Sequence, residues 1–146
     1  MAFTARHLVR FADIDWARVV YFARFFDFAH RTFEDFFNDH AKIPYGEVLA
    51  TRRLGFPIVH SEANFFAPLR LGDTARIVME VLTISKRSVT SRFTFYRGET
   101  DERCAVIVLK QAGIDTSTFT ATQFPDDLHA LLAAQLAQEA EKSPPR

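Results

Sequence analysis

The chain has a single cysteine, Cys104. That rules out an intrachain disulfide and a zinc site built on cysteines. No charge of one sign prevails: 18 basic residues face 18 acidic ones. This leaves no electrostatic footprint for nucleic acid or an anionic membrane. No apolar run approaches the length of a membrane span, and no charged-then-apolar leader opens the chain. The five histidines are scattered, with no pair at metal-ligand spacing. A G-x-S-x-G elbow and a glycine-rich phosphate loop are also missing. By elimination we expect a cytoplasmic protein with no nucleic-acid partner, no membrane partner, no metal and no cofactor.

What the chain does have is phenylalanine. Of its 16, seven lie between Phe22 and Phe37. On a 3.6-residue wheel, Phe22, Phe25, Phe26, Ala29, Phe33, Phe36 and Phe37 share an arc of about 120°. Tyr21, Phe28 and Thr32 widen one shoulder. Arg24, Asp27, Arg31, Glu34 and Asp35 take the opposite side, with His30 on the edge. The pattern predicts a helix from Val20 or Tyr21 to Phe37. So broad and bulky an apolar arc needs a concave partner, and a curved sheet is the natural one.

The remainder supplies that sheet. Residues 3–11 read as a strand, and 13–18 form a loop whose acids sit where a helix N-terminus favours negative charge. Residues 40–55 are a mixed loop with one short helical turn near Tyr45–Ala50. Strands are expected over 57–66, 74–85, 88–97 and 103–111, the last running on toward Asp115. The alternation in 88–97 puts Val89, Phe93 and Phe95 on one face and Thr90, Arg92 and Thr94 on the other. Residues 116–122 are polar. A last helix is expected over about 126–140, with Leu128, Leu131, Leu132 and Leu136 on one side and a frayed tail at 141–146. At 146 residues this is one domain, 1–146, of α+β class: an antiparallel sheet of about five strands around one long helix.

Taken bare, Asp13 and Asp15 are loop or capping residues more readily than catalysts. The segment F-A-D-I-D-W-A-R-V-V-Y-F, Phe11 to Phe22, resembles the F-x-D-x-D-x-x-G-x-V-Y-F signature of the 4-hydroxybenzoyl-CoA thioesterase family of hotdog-fold proteins. The likeness continues through Phe56–Phe66, the P-x-x-x-G-D turn at Pro68–Asp73, and Arg87-Ser88-Val89. The stretches VYFARFFDFAH and PIVHSEANFFAP are most similar to the subgroup acting on dihydroxynaphthoyl-CoA and related aromatic acyl-CoA thioesters.

The resemblance implies a hotdog fold, acyl-CoA thioester hydrolysis, and self-association to a dimer or homotetramer. Coenzyme A would be part of the substrate and not a cofactor. Asp15 matches the catalytic carboxylate, as nucleophile or general base. Asp13 matches an acid that holds the loop. Phe22 stands where the family's helix opens, its backbone amide aimed at the thioester carbonyl. Free amides and the positive helix end stabilise charge developing on oxygen. The substrate-binding set would comprise Tyr21, Trp16, Arg18, His60, Ser88, Thr90, Lys86 and Arg87. Arg18 replaces the family's glycine, as a surface exchange or as a cation aimed at an anionic acyl group or CoA phosphate. Trp16 is a pocket wall or a lid. His60 is a sheet histidine or a substrate contact. Ser88 and Thr90 line a pantetheine channel or face solvent. Lys86 and Arg87, with Arg92, meet CoA phosphates, or the first two form a solvated hairpin. Two rivals are a non-catalytic acyl-CoA-binding module and a dehydratase using His30.

Overall fold

The computed structural model describes residues 2–138. Five strands form one antiparallel sheet: β1 (Phe3–Leu8), β3 (Ile58–Phe65), β4 (Thr74–Ile84), β5 (Ser88–Arg97) and β6 (Arg103–Ala112), in the order β1-β4-β5-β6-β3. The helix α1 (Phe22–Asp35) lies in its concave face, so the sheet-around-helix plan holds. On β5, Val89, Ser91, Phe93 and Phe95 point inward and are buried. Val89, Phe93 and Phe95 share one apolar core with Phe25, Ala29 and Phe33 of the helix. Burial of such surface is the main force closing the sheet on the helix.

The buried stripe of the helix is Phe25, Phe28, Ala29, Thr32 and Phe33. It is rotated from the expected arc. Phe22 is 68% exposed because it lies in the first turn, beyond the sheet's cover, and Phe26 is only partly buried. At the other end the α-helix stops at Asp35 and widens into a π turn, Phe36–His40, closed by the Ala41 amide donating to the Phe36 carbonyl at 2.9 Å. Consecutive residues on a 3.6-residue helix point about 100° apart. The wider turn lets Phe36 and Phe37 both sit fully in the core.

Three further differences have local causes. Strand β1 ends at Leu8, because residues 11–13 coil into a 3₁₀ turn. The last long strand breaks at Gly113, where a side chain would meet the Thr122 carbonyl at 2.7 Å. Beyond it, β7 (Ile114–Asp115) joins β2 (Leu54–Gly55) and β8 (Thr120–Ala121) in a small second sheet that the polar sequence does not announce. The short helix α2 (Tyr45–Ala50) is where it was expected. The last helix, α3 (Asp126–Ala133), is shorter than expected. Val81 explains the stop: its amide donates to the Gln135 carbonyl at 2.9 Å and its carbonyl accepts from Ala137 at 2.8 Å. These bonds draw 135–137 alongside β4. The expected end of the helix at 140 and the tail at 141–146 lie outside the described residues.

Tyr45 packs against Phe37 and Phe56, 9% exposed. Burial pushes its phenol from the ordinary 10.0 up to about 12. The unfolded chain therefore ionises first, so this contribution to stability is full below pH 10 and is lost as pH rises toward 12. Between pH 8 and pH 11, Tyr45→Phe should gain about 1.4 kcal/mol on the wild type in paired urea titrations. An unchanged difference between the two proteins would show that the buried phenol does not resist ionisation.

Candidate active site

The loop before the helix is a tight hairpin. Ile14 and Val20 pair across it, the Asp15 amide donates to the Val19 carbonyl at 3.0 Å, and the Arg18 amide donates to the Asp15 carbonyl at 2.9 Å. Asp15 Oδ1 accepts from the Ala17 amide at 2.8 Å, an Asx turn that fixes the carboxylate with one oxygen free of this bond. Asp13 is spent on the loop itself. Its Oδ2 accepts from the Arg10 amide at 2.9 Å, and its Oδ1 lies 3.6 Å from Arg24 Nε. The Val20 amide donates to the Leu69 carbonyl at 2.8 Å, tying the hairpin to the chain that follows β3.

Helix α1 opens without a side-chain cap. The Tyr21 carbonyl accepts from the Arg24 amide at 2.9 Å, while the Phe22 amide has no hydrogen bond among the described residues. An amide left free at a positive helix end is a donor for developing negative charge. It borders a cleft of about 340 Å³ lined by Val20, Phe22, Phe25, Phe65, Phe66, Ala67 and Pro68. Asp15 lines a different cavity of about 310 Å³, with Phe11, Ile14, Trp16 and Arg18. Within one chain the carboxylate and the helix opening thus serve two cavities on one hairpin. Trp16 is fully exposed, so the second cavity lacks an outer wall.

The other residues singled out in the sequence lie elsewhere. Tyr21 is half-buried with the Arg24 guanidinium 5.5 Å from its ring centre. His60 is exposed on the edge strand β3, its Nε2 3.0 Å from Glu62 Oε1. Lys86 and Arg87 are exposed in the β4–β5 turn, and their carbonyls accept from the Phe124 and Gly113 amides. Ser88 Oγ lies 2.9 Å from Ser85 Oγ, and Thr90 is half-buried opposite Lys110. None of these six lines either cavity. Arg92, expected on the face opposite Val89, Phe93 and Phe95, is 8% exposed and 3.0 Å from Glu80, its cross-strand neighbour. That pairing engages the guanidinium within this chain.

Phe65 and Phe66, walls of the larger cleft, were not singled out in the sequence. Their signal was available: Phe65 and Phe66 are adjacent in an extended segment, so both cannot face the same core. Each is more than 40% exposed, at 48% and 43%. Phe25 bridges to Phe65, ring centres 5.2 Å apart, and so links the cleft to the helix. Among the described residues no three His, Cys, Asp or Glu side chains converge as metal ligands would.

Residues 9–132 match the model of the thioesterase-like superfamily. A 1,4-dihydroxy-2-naphthoyl-CoA hydrolase of Prochlorococcus marinus (strain NATL2A) is 34% identical over 97 residues, which span 62% of each chain. The protein of that name from Nostoc punctiforme is 28% identical over 88% of this chain and 84% of its own. Among solved structures, a 1,4-dihydroxy-2-naphthoyl-CoA thioesterase from Synechocystis superposes with a TM-score of 0.82 at 21% identity, covering 91% of this chain and 96% of its own. At that identity the superposition establishes the fold, and the fold is shared.

Proposed function

The chain belongs to the thioesterase-like superfamily, and from that membership we propose that it hydrolyses an acyl-CoA whose acyl group is aromatic or medium-sized. The observation that carries this reading is the hairpin: an exposed, Asx-held carboxylate at Asp15, leading directly into an uncapped helix at Phe22. The named activities of the Prochlorococcus and Nostoc relatives support the aromatic acyl group.

In the proposed reaction the Phe22 amide donates to the thioester carbonyl oxygen and stabilises its growing charge. As general base, Asp15 takes a proton from water while the water oxygen bonds to the carbonyl carbon. The C–S bond then breaks, CoA leaves as thiolate, and the proton held by Asp15 neutralises it. As nucleophile, Asp15 would instead form a mixed anhydride that water opens.

Because the two groups serve separate cavities in one chain, we place the working site between two protomers. Among the described residues strand β3 is a sheet edge with Ile58, Val59 and Phe65 exposed, and Phe66 is exposed just beyond it. An apolar edge of this kind favours pairing with a second copy. Dimers of this sort pair further into a homotetramer in our reading, and the enzyme works in the cytoplasm.

The test is release of CoA thiol, followed with a thiol-reactive dye, from benzoyl, phenylacetyl, naphthoyl and straight-chain acyl-CoAs. We expect thiol release, fastest with the aromatic esters. Uniformly faster turnover of long straight chains would remove the aromatic assignment. Tight binding of CoA esters without thiol release would identify a binding module instead.

A further inference from the structure

Position 18 carries a contradiction between backbone and side chain. The Asp15–Val19 turn is closed by the Arg18 amide on the Asp15 carbonyl and the Asp15 amide on the Val19 carbonyl, and it ends in a left-handed residue, a position that favours glycine. Arg18 holds that position at φ +67°. A residue with a Cβ is strained there, as it is at Lys42, Arg53 and Phe119, and of these four left-handed residues Arg18 is the one that lines the cavity of Asp15. The guanidinium meets no carboxylate among the described residues, a state it shares with Arg10, Arg53, Arg70, Arg87 and Arg103, none of which lines the Asp15 cavity. It lines the cavity of Asp15, whose other walls are Phe11, Ile14 and Trp16. The chamber is therefore apolar apart from one anion and one cation.

We propose that Arg18 selects acyl groups that carry a carboxylate of their own, so that the preferred substrate is the CoA half-ester of a dicarboxylic acid. This rests on the thioesterase reading and narrows its substrate class. A second anion brought toward Asp15 is repelled unless a cation shares the chamber, and among the described residues Arg18 is the only cation lining it. Guanidinium and carboxylate also match as a two-pronged hydrogen-bonding pair. The CoA phosphates offer the same chemistry. They are held off from the reacting carbonyl by the whole pantetheine arm, while Arg18 lines the cavity of the reacting carboxylate.

The experiment compares 3-carboxybenzoyl-CoA with benzoyl-CoA in the wild type, Arg18→Gly and Arg18→Lys, by thiol release. We expect the wild type to favour the carboxylated ester in kcat/KM. Arg18→Gly should lower the ratio of the two values about 10- to 100-fold, the worth of a charge-assisted hydrogen bond, and Arg18→Lys should restore part of it. Arg18→Gly should also melt about 2–4 °C higher as the turn relaxes, so misfolding cannot account for the lost ratio. The same ratio measured with pantetheine thioesters assigns the anion: an Arg18 effect seen only when the CoA phosphates are present overturns the proposal. So does a ratio that Arg18→Gly leaves unchanged.

A second readout needs no turnover. Trp16 is the sole tryptophan and lines the same cavity, so its fluorescence reports binding of the free acids. Benzene-1,3-dicarboxylate should bind the wild type more tightly than benzoate, and Arg18→Gly should erase the difference. Failure of thiol release with this binding preference intact would sink the hydrolase reading and leave the selection standing. Equal binding of the two acids by the wild type would sink the selection.

Discussion

Asp15→Asn should lower kcat/KM for the best aromatic acyl-CoA by about 10²- to 10⁴-fold, the span expected when a positioned acid–base group is removed. Asparagine is the informative substitution. Its side-chain oxygen can still accept the Ala17 amide that Asp15 Oδ1 holds at 2.8 Å, so the turn keeps its shape while the negative charge and basicity go. Asp15→Ala removes both, and any further loss measures the turn. Asp13→Asn provides the contrast. Asp13 is committed to the Arg10 amide and to Arg24, so its replacement should act on the loop and cost much less activity. Thiol release that is equal in wild type and Asp15→Asn, from every ester cleaved, would place the reacting carboxylate elsewhere. The residual rate in Asp15→Asn belongs to the helix opening, because an oxyanion donor and substrate binding still act when the partner group is gone.

The sequence made the two halves of this site legible to different degrees. The aromatic helix announces itself through its period, since one wide apolar arc per 3.6 residues has no other economical fold. Alternation located β5 to its end residues, because a sheet with one buried face repeats every second residue. The π turn was hidden, since a wheel assumes constant pitch and Phe36 and Phe37 depart from it. The small sheet of β2, β7 and β8 was hidden too: paired backbone holds it, and the residues at 116–122 carry no apolar alternation. Asp15 stood out only through the motif around it, as a lone carboxylate in a loop looks like any cap. The strain at Arg18 could not be read from the residue type, because a side chain does not report its own φ. The cleft walls Phe65 and Phe66 follow from pleat geometry, and their bulk at a strand end was the overlooked clue.

Phe33→Ala should destabilise the fold by about 3–5 kcal/mol, the range for emptying a buried phenylalanine site. The ring is fully buried and meets Phe56 at 5.1 Å, Phe37 at 5.3 Å and Tyr45 at 6.3 Å, all edge-on. Edge-to-face contacts of this kind add to the area term, and three neighbours anchored on different elements cannot all collapse into the hole. A domain of this size has about 5–15 kcal/mol in total, so the change removes a large part of it and should lower the melting temperature by about 6–20 °C. Phe22→Ala is the paired measurement. Phe22 belongs to the same helix and the same arc on a wheel, yet it is 68% exposed at the cleft, and its loss should move stability by no more than about 0.5 kcal/mol. Urea titrations of both variants decide the matter. Comparable losses at 22 and 33 would mean that the first turn is part of the core, which would leave the helix opening closed to a substrate. A large loss confined to 33 keeps the first turn free for chemistry while the following turns hold the sheet.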